Sequence, residues 1–288
     1  MTLQSMERFG ESKYDAKRSH TMQNGIYSYS TAKAYNRDCQ RFAEYVKEHG
    51  SAGRYTPLRE TRELAREYLS REIASGKSAY TLKAERSALA KLFGVKGNEL
   101  AHIQDRCRAD ITRSRERYVI SEKTGKEILN PSSRAGHFSE KNHKELVEFA
   151  RSTGLRRTEL EHLRGDQFYK DANGHYHIRI CDNQGKGGRD RDIHVLKDNE
   201  VVREMCERAG HDKVFGKVPQ MDVHHYRSEY ATERYRELAR ELKDIPMKER
   251  YYCKGDRKGE VFDKKAMEQV SQDLGHTRIN VIAAHYLR

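Results

Sequence analysis

Between residues 28 and 109 the apolar positions recur with the period of an α-helix. Tyr35, Cys39, Phe42 and Val46 fall on one face of a segment that Ser28 or Ser30 can cap and that ends near His49, before Gly50 and Gly53. A second stripe, Leu64, Tyr68, Leu69 and Ile73, marks a helix over 58–75 that Gly76 stops. Ser78 caps a third, with Leu82, Leu89, Leu92 and Phe93 inward, and a fourth is expected near 97–109. Residues 1–27 show no sustained period and read as a flexible arm. The segment 111–137 reads as a basic linker, since Arg113, Arg115 and Arg117 are closely spaced and Asn130-Pro131 breaks any helix.

From Phe138 the pattern changes twice. Ser139 can cap a helix with Leu146, Phe149 and Ala150 inward, closed by Gly154, and a second helix holds Glu159, Leu160 and Leu163. The stretch 166–171, the turn Ala172-Asn173-Gly174, the alternating run His177-Ile178-Arg179-Ile180 and the segment Ile193-His194-Val195 then read as a three-stranded antiparallel sheet. Helices are expected from about 199 to the end. The fold class that emerges is mainly α with a small antiparallel β-sheet: an N-terminal helical bundle over 28–110 and an α+β domain over 138–288.

Charge changes the picture. Fifty-six Lys+Arg stand against 44 Asp+Glu, a net charge of +12, which points to a polyanionic partner, with nucleic acid first. A merely soluble basic protein is the bland alternative. No apolar run approaches the ~20 residues that cross a bilayer. The five cysteines, Cys39, Cys107, Cys181, Cys206 and Cys253, form no Cys-x-x-Cys pair. A disulfide framework or zinc site is not expected, and a reducing cytoplasm is the natural home.

The candidate chemistry lies in four short segments in a fixed order. Thr153-Gly154-Leu155-Arg156-Arg157 comes first, then Gly185-Lys186-Gly187-Gly188, then His224-His225-Tyr226-Arg227, then Leu274-Gly275-His276, with Tyr286 near the last residue. Planar guanidinium groups suit the charge that builds on phosphate oxygens in a phosphoryl-transfer transition state. A tyrosine hydroxyl can cut a phosphodiester while conserving its energy as an aryl phosphate ester. Adjacent His224 and His225 lack a further ligand at helical spacing, so no metal is assigned.

In this order the segments resemble the catalytic domain of the tyrosine recombinases, over roughly residues 140–286. The resemblance implies site-specific DNA cleavage and rejoining through a 3′-phosphotyrosyl intermediate, without metal, ATP or another cofactor. It assigns Arg156, Lys186, His224, Arg227, His276 and Tyr286 as catalytic residues. Lys186 would protonate the leaving 5′-oxygen, His276 would hydrogen-bond a phosphate oxygen, and Glu159 would orient an arginine in a supporting role. The helical bundle is similar to the domain with which this family clamps the opposite face of the duplex. Lys77, Ser78, Thr81 and Lys83, at a helix start, are candidates for phosphate contact, as are Arg113, Arg115 and Arg117; a solvated helix start and a solvated tether are the alternatives.

Two features depart from the family pattern. The tyrosine stands nine residues after the histidine in most members, whereas here the ninth residue is His285 and the tenth Tyr286. One residue turns a helical side chain by about 100°, which a bulge or a later helix start would have to absorb. Only Leu287 and Arg288 follow the tyrosine here, so the C-terminal docking helix of many members is not expected. The expected partner is double-stranded DNA, bound as a tetramer by a chain that is monomeric in free solution. An accessory DNA-bending or directionality protein and association with a bacterial nucleoid fit this biology. Competing readings are a catalytically inactive DNA-binding relative and a type IB topoisomerase-like enzyme that relaxes DNA; a metal-dependent nuclease would need a carboxylate cluster that the chain does not show.

Overall fold

The computed structural model describes residues 10–11, 13–21, 25–50, 58–103, 118–120, 124–129, 138–181, 184–185 and 190–287. The chain divides into two compact units, Met1–Asp110 and Ile111–Arg288. Among the described residues, no helix is long and apolar enough to cross a membrane.

The first unit is helical. A short α1 (Lys13–Arg18) precedes α2 (Tyr29–His49), α3 (Leu58–Ala74) and α4 (Ala79–Phe93). Ser28 caps α2 and Ser78 caps α4, each side chain accepting from the backbone N–H three residues on. Phe42, Tyr45, Leu64, Tyr68, Leu69 and Leu89 form the core. Three differences from the sequence reading stand out. The span read as an arm contains α1, and Ile26 and Tyr27 are buried. Ile73, placed on the apolar stripe of α3, is 39% exposed because it lies in the last turn, past the end of the packed face. Near 97–109 the described residues hold only a 3₁₀ turn, Gly97–Glu99, followed by buried Leu100 and Ile103.

The second unit opens with β1 (Tyr118–Ile120) paired antiparallel to β2 (Glu127–Leu129), inside the span read as a linker. Helix α5 (Lys144–Thr153) follows a 3₁₀ turn, Glu140–His143; Ser139 precedes that turn and makes no side-chain capping bond. Helix α6 (Arg157–His162) leads into the three-stranded antiparallel sheet β3 (Phe168–Lys170), β4 (Tyr176–Ile180) and β5 (Arg191–His194), in the order β3-β4-β5. The alternation of β4 is the expected one: Tyr176, Ile178 and Ile180 are buried. Helices α7 (Glu200–Ala209), α8 (Val223–Leu238), α9 (Lys264–Asp273) and α10 (Asn280–His285) complete the unit.

The run from 199 is not wholly helical. An antiparallel hairpin, β6 (Arg250–Tyr252) with β7 (Val261–Asp263), separates α8 from α9. It is fixed to the end of α8 by a two-pronged ion pair, Arg240 Nε to Asp263 Oδ2 at 2.7 Å and Nη2 to Oδ1 at 2.8 Å. Those hydrogen bonds pull the Asp263 carboxyl down to about 2. Tyr235 adds its ring against Phe262 and accepts the Asp263 N–H. Around α8, itself holding buried Tyr226, Arg227, Tyr230 and Ala231, the core gathers Phe149, Leu155, Leu160, Ile178, Ile193, Met267, Leu274 and Ile282.

Candidate active site

The site is built where α5 ends. Gly154 sits there with φ of 59°, and a Cβ at this position would lie 2.6 Å from Tyr230 Cδ1. Only glycine satisfies both the left-handed turn and the close approach. The turn exposes the Gly154 carbonyl to the interior and delivers Arg156 at the N-terminus of α6. Arg156 donates from its backbone N–H and its Nη1 to the two oxygens of Glu159, each at 2.7 Å. Its Nη2 donates to the carbonyl of Leu274 at 2.9 Å.

Arg227 enters from α8 and is 1% exposed. Burying a guanidinium costs several kcal/mol unless its donors are satisfied. Here Nη1 donates to the Gly154 carbonyl, Nη2 to the Leu274 carbonyl, and Nε to the Tyr286 hydroxyl at 3.4 Å. Burial lowers the Arg227 pKa to about 10; the Tyr286 hydroxyl opposes that shift and neighbouring Arg156 reinforces it. The group therefore stays cationic at neutral pH.

Glu159 is fully buried. Burial alone would raise its carboxyl, but Arg191 first, and then Arg156, outweigh that and hold it below its usual range. Arg191 donates from Nη2 to Glu159 at 2.8 Å and from Nε to the Asp273 carbonyl at 3.0 Å, joining α6 to the turn after α9. That turn carries Gly275, with φ of 64°, and then His276.

His276 Nε2 lies 3.2 Å from the Tyr286 hydroxyl, and the two rings are 5.3 Å apart. Tyr286 itself is 7% exposed. At the ten-residue spacing the Tyr286 hydroxyl still reaches both Arg227 and His276. The helix stops at His285, and the N–H groups of Tyr286 and Leu287 both donate to the Ile282 carbonyl, at 2.9 and 3.1 Å. The first is an ordinary α-helical bond, and the second closes a turn one residue wider, after Tyr286. Ser228 and Thr232 of α8 then hold the Tyr286 carbonyl at 2.8 and 3.3 Å.

Comparison with known proteins adds little weight. No protein-family model matches the chain, and neither does any curated protein. Solved structures give low-scoring similarities. A Tn1549 transposon integrase in complex with circular intermediate DNA is 12% identical, over 87% of this chain and 95% of that one, with a TM-score of 0.39. A form of the same integrase bound to transposon right end DNA is 12% identical over 95% and 93%, with a TM-score of 0.43. XerA recombinase is 14% identical over 96% and 93%, with a TM-score of 0.31. At such scores the likeness carries no argument, and the functional reading rests on this chain's own side chains.

Four of the six catalytic candidates, Arg156, Arg227, His276 and Tyr286, therefore meet, with Glu159 beneath them. His224 lies in the first turn of α8 and is exposed, one turn from Arg227. Its neighbour His225 pairs instead with Glu229, Nε2 to Oε1 at 3.2 Å, so an acidic residue does stand at helical spacing, contrary to the sequence reading. Lys186 lies outside the described residues, as do Arg113, Arg115 and Arg117. Arg157, which sequence alone could exchange with Arg156, turns away and donates to the carbonyls of Val218, Pro219 and Met221.

The candidates in the first unit are differently placed. The Lys77 ammonium contacts the buried carboxylates of Glu72 and Glu85, so its charge is balanced internally. Ser78 and Thr81 bond to each other in the cap of α4, and Lys83 is half-buried. Arg191, which no motif in the sequence singles out, is the buried counter-charge of Glu159. Among the described residues no group of three His, Cys, Asp or Glu side chains is arranged to hold a metal ion.

Proposed function

We propose that the chain is a tyrosine recombinase: a site-specific enzyme that cuts and rejoins DNA through a 3′-phosphotyrosyl intermediate formed on Tyr286. The observation that carries this reading is the placing of the Tyr286 hydroxyl between Arg227 Nε and His276 Nε2, at 3.4 and 3.2 Å. A phenol is a poor nucleophile at neutral pH and is activated by a base or by a cation that stabilises the phenolate. Both are present. The imidazole nitrogen lies within the reach a general base needs, and the guanidinium favours the charged oxygen.

The scissile phosphate would sit against the cationic surface made by Arg156 and Arg227, where the charge of the transition state is largest. Glu159 keeps Arg156 in place and takes no part in bond making. Lys186 would supply the proton to the leaving 5′-oxygen. His276 would turn from the hydroxyl to a phosphate oxygen as the substrate seats. The reaction needs no metal or ATP because the phosphotyrosine retains the bond energy for rejoining. Double-stranded DNA at a defined site is the substrate, with four subunits on two duplexes and single subunits off DNA.

The test is covalent capture. A nicked suicide substrate carrying the cognate site should trap an adduct on Tyr286, mapped by peptide mass spectrometry and absent from Tyr286→Phe. An adduct on Tyr251 or Tyr252 instead would overturn the assignment. Relaxation of any supercoiled plasmid by the isolated chain, without exchange between two sites, would favour the topoisomerase reading.

A further inference from the structure

The β6–β7 hairpin reaches the tyrosine segment through one side chain. Arg257 lies in the loop between the two strands, is 8% exposed, and stacks its guanidinium over the Phe262 ring, 4.9 Å from the centroid. Glu260 grips it from one side, with Arg257 Nε donating to Oε1 at 2.7 Å and Nη2 to Oε2. From the other side Nη1 donates to the Ala283 carbonyl and, at 3.3 Å, to the Leu287 carbonyl. Those two carbonyls bracket Tyr286.

Helix α10 is six residues long, too short to hold itself. Its last carbonyls have no acceptor role within the helix and need donors from elsewhere. A guanidinium supplies them and complements the negative end of the helix dipole. Arg257 is itself immobilised: by Glu260, by Phe262, and through β7 by the pairing of Asp263 with Arg240, just past the end of α8. The chain thus runs from α8, through the hairpin, to the back of the tyrosine segment. On its front, Ser228 and Thr232 of the same α8 hold the Tyr286 carbonyl.

We infer that Arg257 is a positioning residue that clamps the Tyr286 segment onto the active site of its own subunit. It touches neither phosphate nor the reacting hydroxyl; it fixes the backbone on both sides of the nucleophile. Phosphate is bound by Arg156 and Arg227, which Arg257 does not contact. The clamp therefore sets how often the hydroxyl is in line for attack and leaves DNA affinity alone. This rests on the recombinase reading of Tyr286.

The experiment uses the full chain carrying Arg257→Met, with Arg257→Lys and Glu260→Gln beside it. Hydrogen exchange without DNA reads the segment 280–287; single-turnover cleavage of the suicide substrate and binding of an uncut duplex read function. For Arg257→Met, exchange at 280–287 should quicken while α5, α8 and α9 keep their protection. Cleavage should fall at least tenfold, since a misplacement of about 1 Å can cost on the order of 10²-fold. Duplex affinity should stay within about twofold, because it is spread over many phosphate contacts. Arg257→Lys, which keeps the charge but only a point donor, should recover part of the rate, and Glu260→Gln should fall between. Wild-type cleavage within twofold in Arg257→Met, or a loss of cleavage matched by an equal loss of duplex affinity, would overturn the inference. If Arg257→Met does not fold, Arg257→Lys and Glu260→Gln decide by the same readings. Failure of the wild type to form any adduct would count against the recombinase reading instead, and the exchange data would still show whether the clamp exists.

Discussion

Arg156 and Arg227 donate to the same acceptor, the carbonyl oxygen of Leu274. Two like charges converging on one oxygen repel each other, and Glu159, held against Arg156, offsets them in part. A phosphate diester would relieve that repulsion, most of all when it gains charge in the transition state. Arg156→Ala and Arg227→Ala should each lose about 3–4 kcal/mol of transition-state stabilisation, with a small change in duplex affinity and a slightly shallower salt dependence. Arg227→Ala should also unfold more readily, since it strands the buried Gly154 carbonyl and leaves that of Leu274 to Arg156 alone. Arg157→Ala should cost about 1–2 kcal/mol of stability through the 218–221 turn and leave cleavage intact. Suicide-substrate kinetics beside urea denaturation check all three.

The carboxyl of Glu159 gives the site a pH signature. Its pKa is lower in the folded chain than in the unfolded one, so the unfolded state binds more protons as pH falls. The stability it contributes is complete above its unfolded value of about 4.3 and is lost as pH drops through the lower folded value. Glu159→Gln should remove that contribution, losing about 3–5 kcal/mol at neutral pH because Arg156 and Arg191 lose their buried counter-charge. The acid limb of the stability curve should flatten in the variant. Urea midpoints between pH 7 and pH 3 check this.

Gly154→Ala is expected to damage fold and chemistry together. An alanine at φ of 59° costs about 1–2 kcal/mol, and its methyl group would press on the Tyr230 ring, adding about 1–3 kcal/mol. The turn would shift to relieve the clash and carry the Gly154 carbonyl away from Arg227. Thermal unfolding should report the first effect. Cleavage at a temperature where the variant is still folded should report the second.

Lys186→Ala should lose cleavage of ordinary DNA and regain it on a substrate with a 5′-bridging phosphorothiolate, whose thiolate leaves without a proton. Arg227→Ala should show no such recovery. Parallel single-turnover rates on the two substrates are the measurement, and absence of recovery in Lys186→Ala would move that residue from proton transfer to DNA positioning.

Much of this site is legible before folding because each half of it is written locally. Gly154 announces a left-handed helix end, Arg156 follows within two residues, and the His224–Arg227 spacing belongs to one helix turn. The central strand shows in the alternation of Ile178 and Ile180 with His177 and Arg179. What stays hidden is what depends on contacts between distant segments. Arg191 meets Glu159 across 32 residues, and Arg257 meets Ala283 across 26. Neither arginine differs from its solvated neighbours in any pattern of period or charge. The β6–β7 hairpin escapes for a related reason: three-residue strands are too short to display an alternation, and their stability comes from Asp263 and Phe262 docking on α8. Lys77 shows the converse, a basic residue at a helix start whose charge is already spent on Glu72 and Glu85.

Tyr286 separates two things that a motif treats as one, the count of residues and the place of a hydroxyl. The count differs by one from the expected pattern, yet the hydroxyl lies between a buried arginine and an imidazole. A profile that insists on a tyrosine at the ninth residue after the histidine would discard this sequence at its last step. Spacing rules for such a site are better written on the hydroxyl's surroundings, a buried arginine and an imidazole, than on a number.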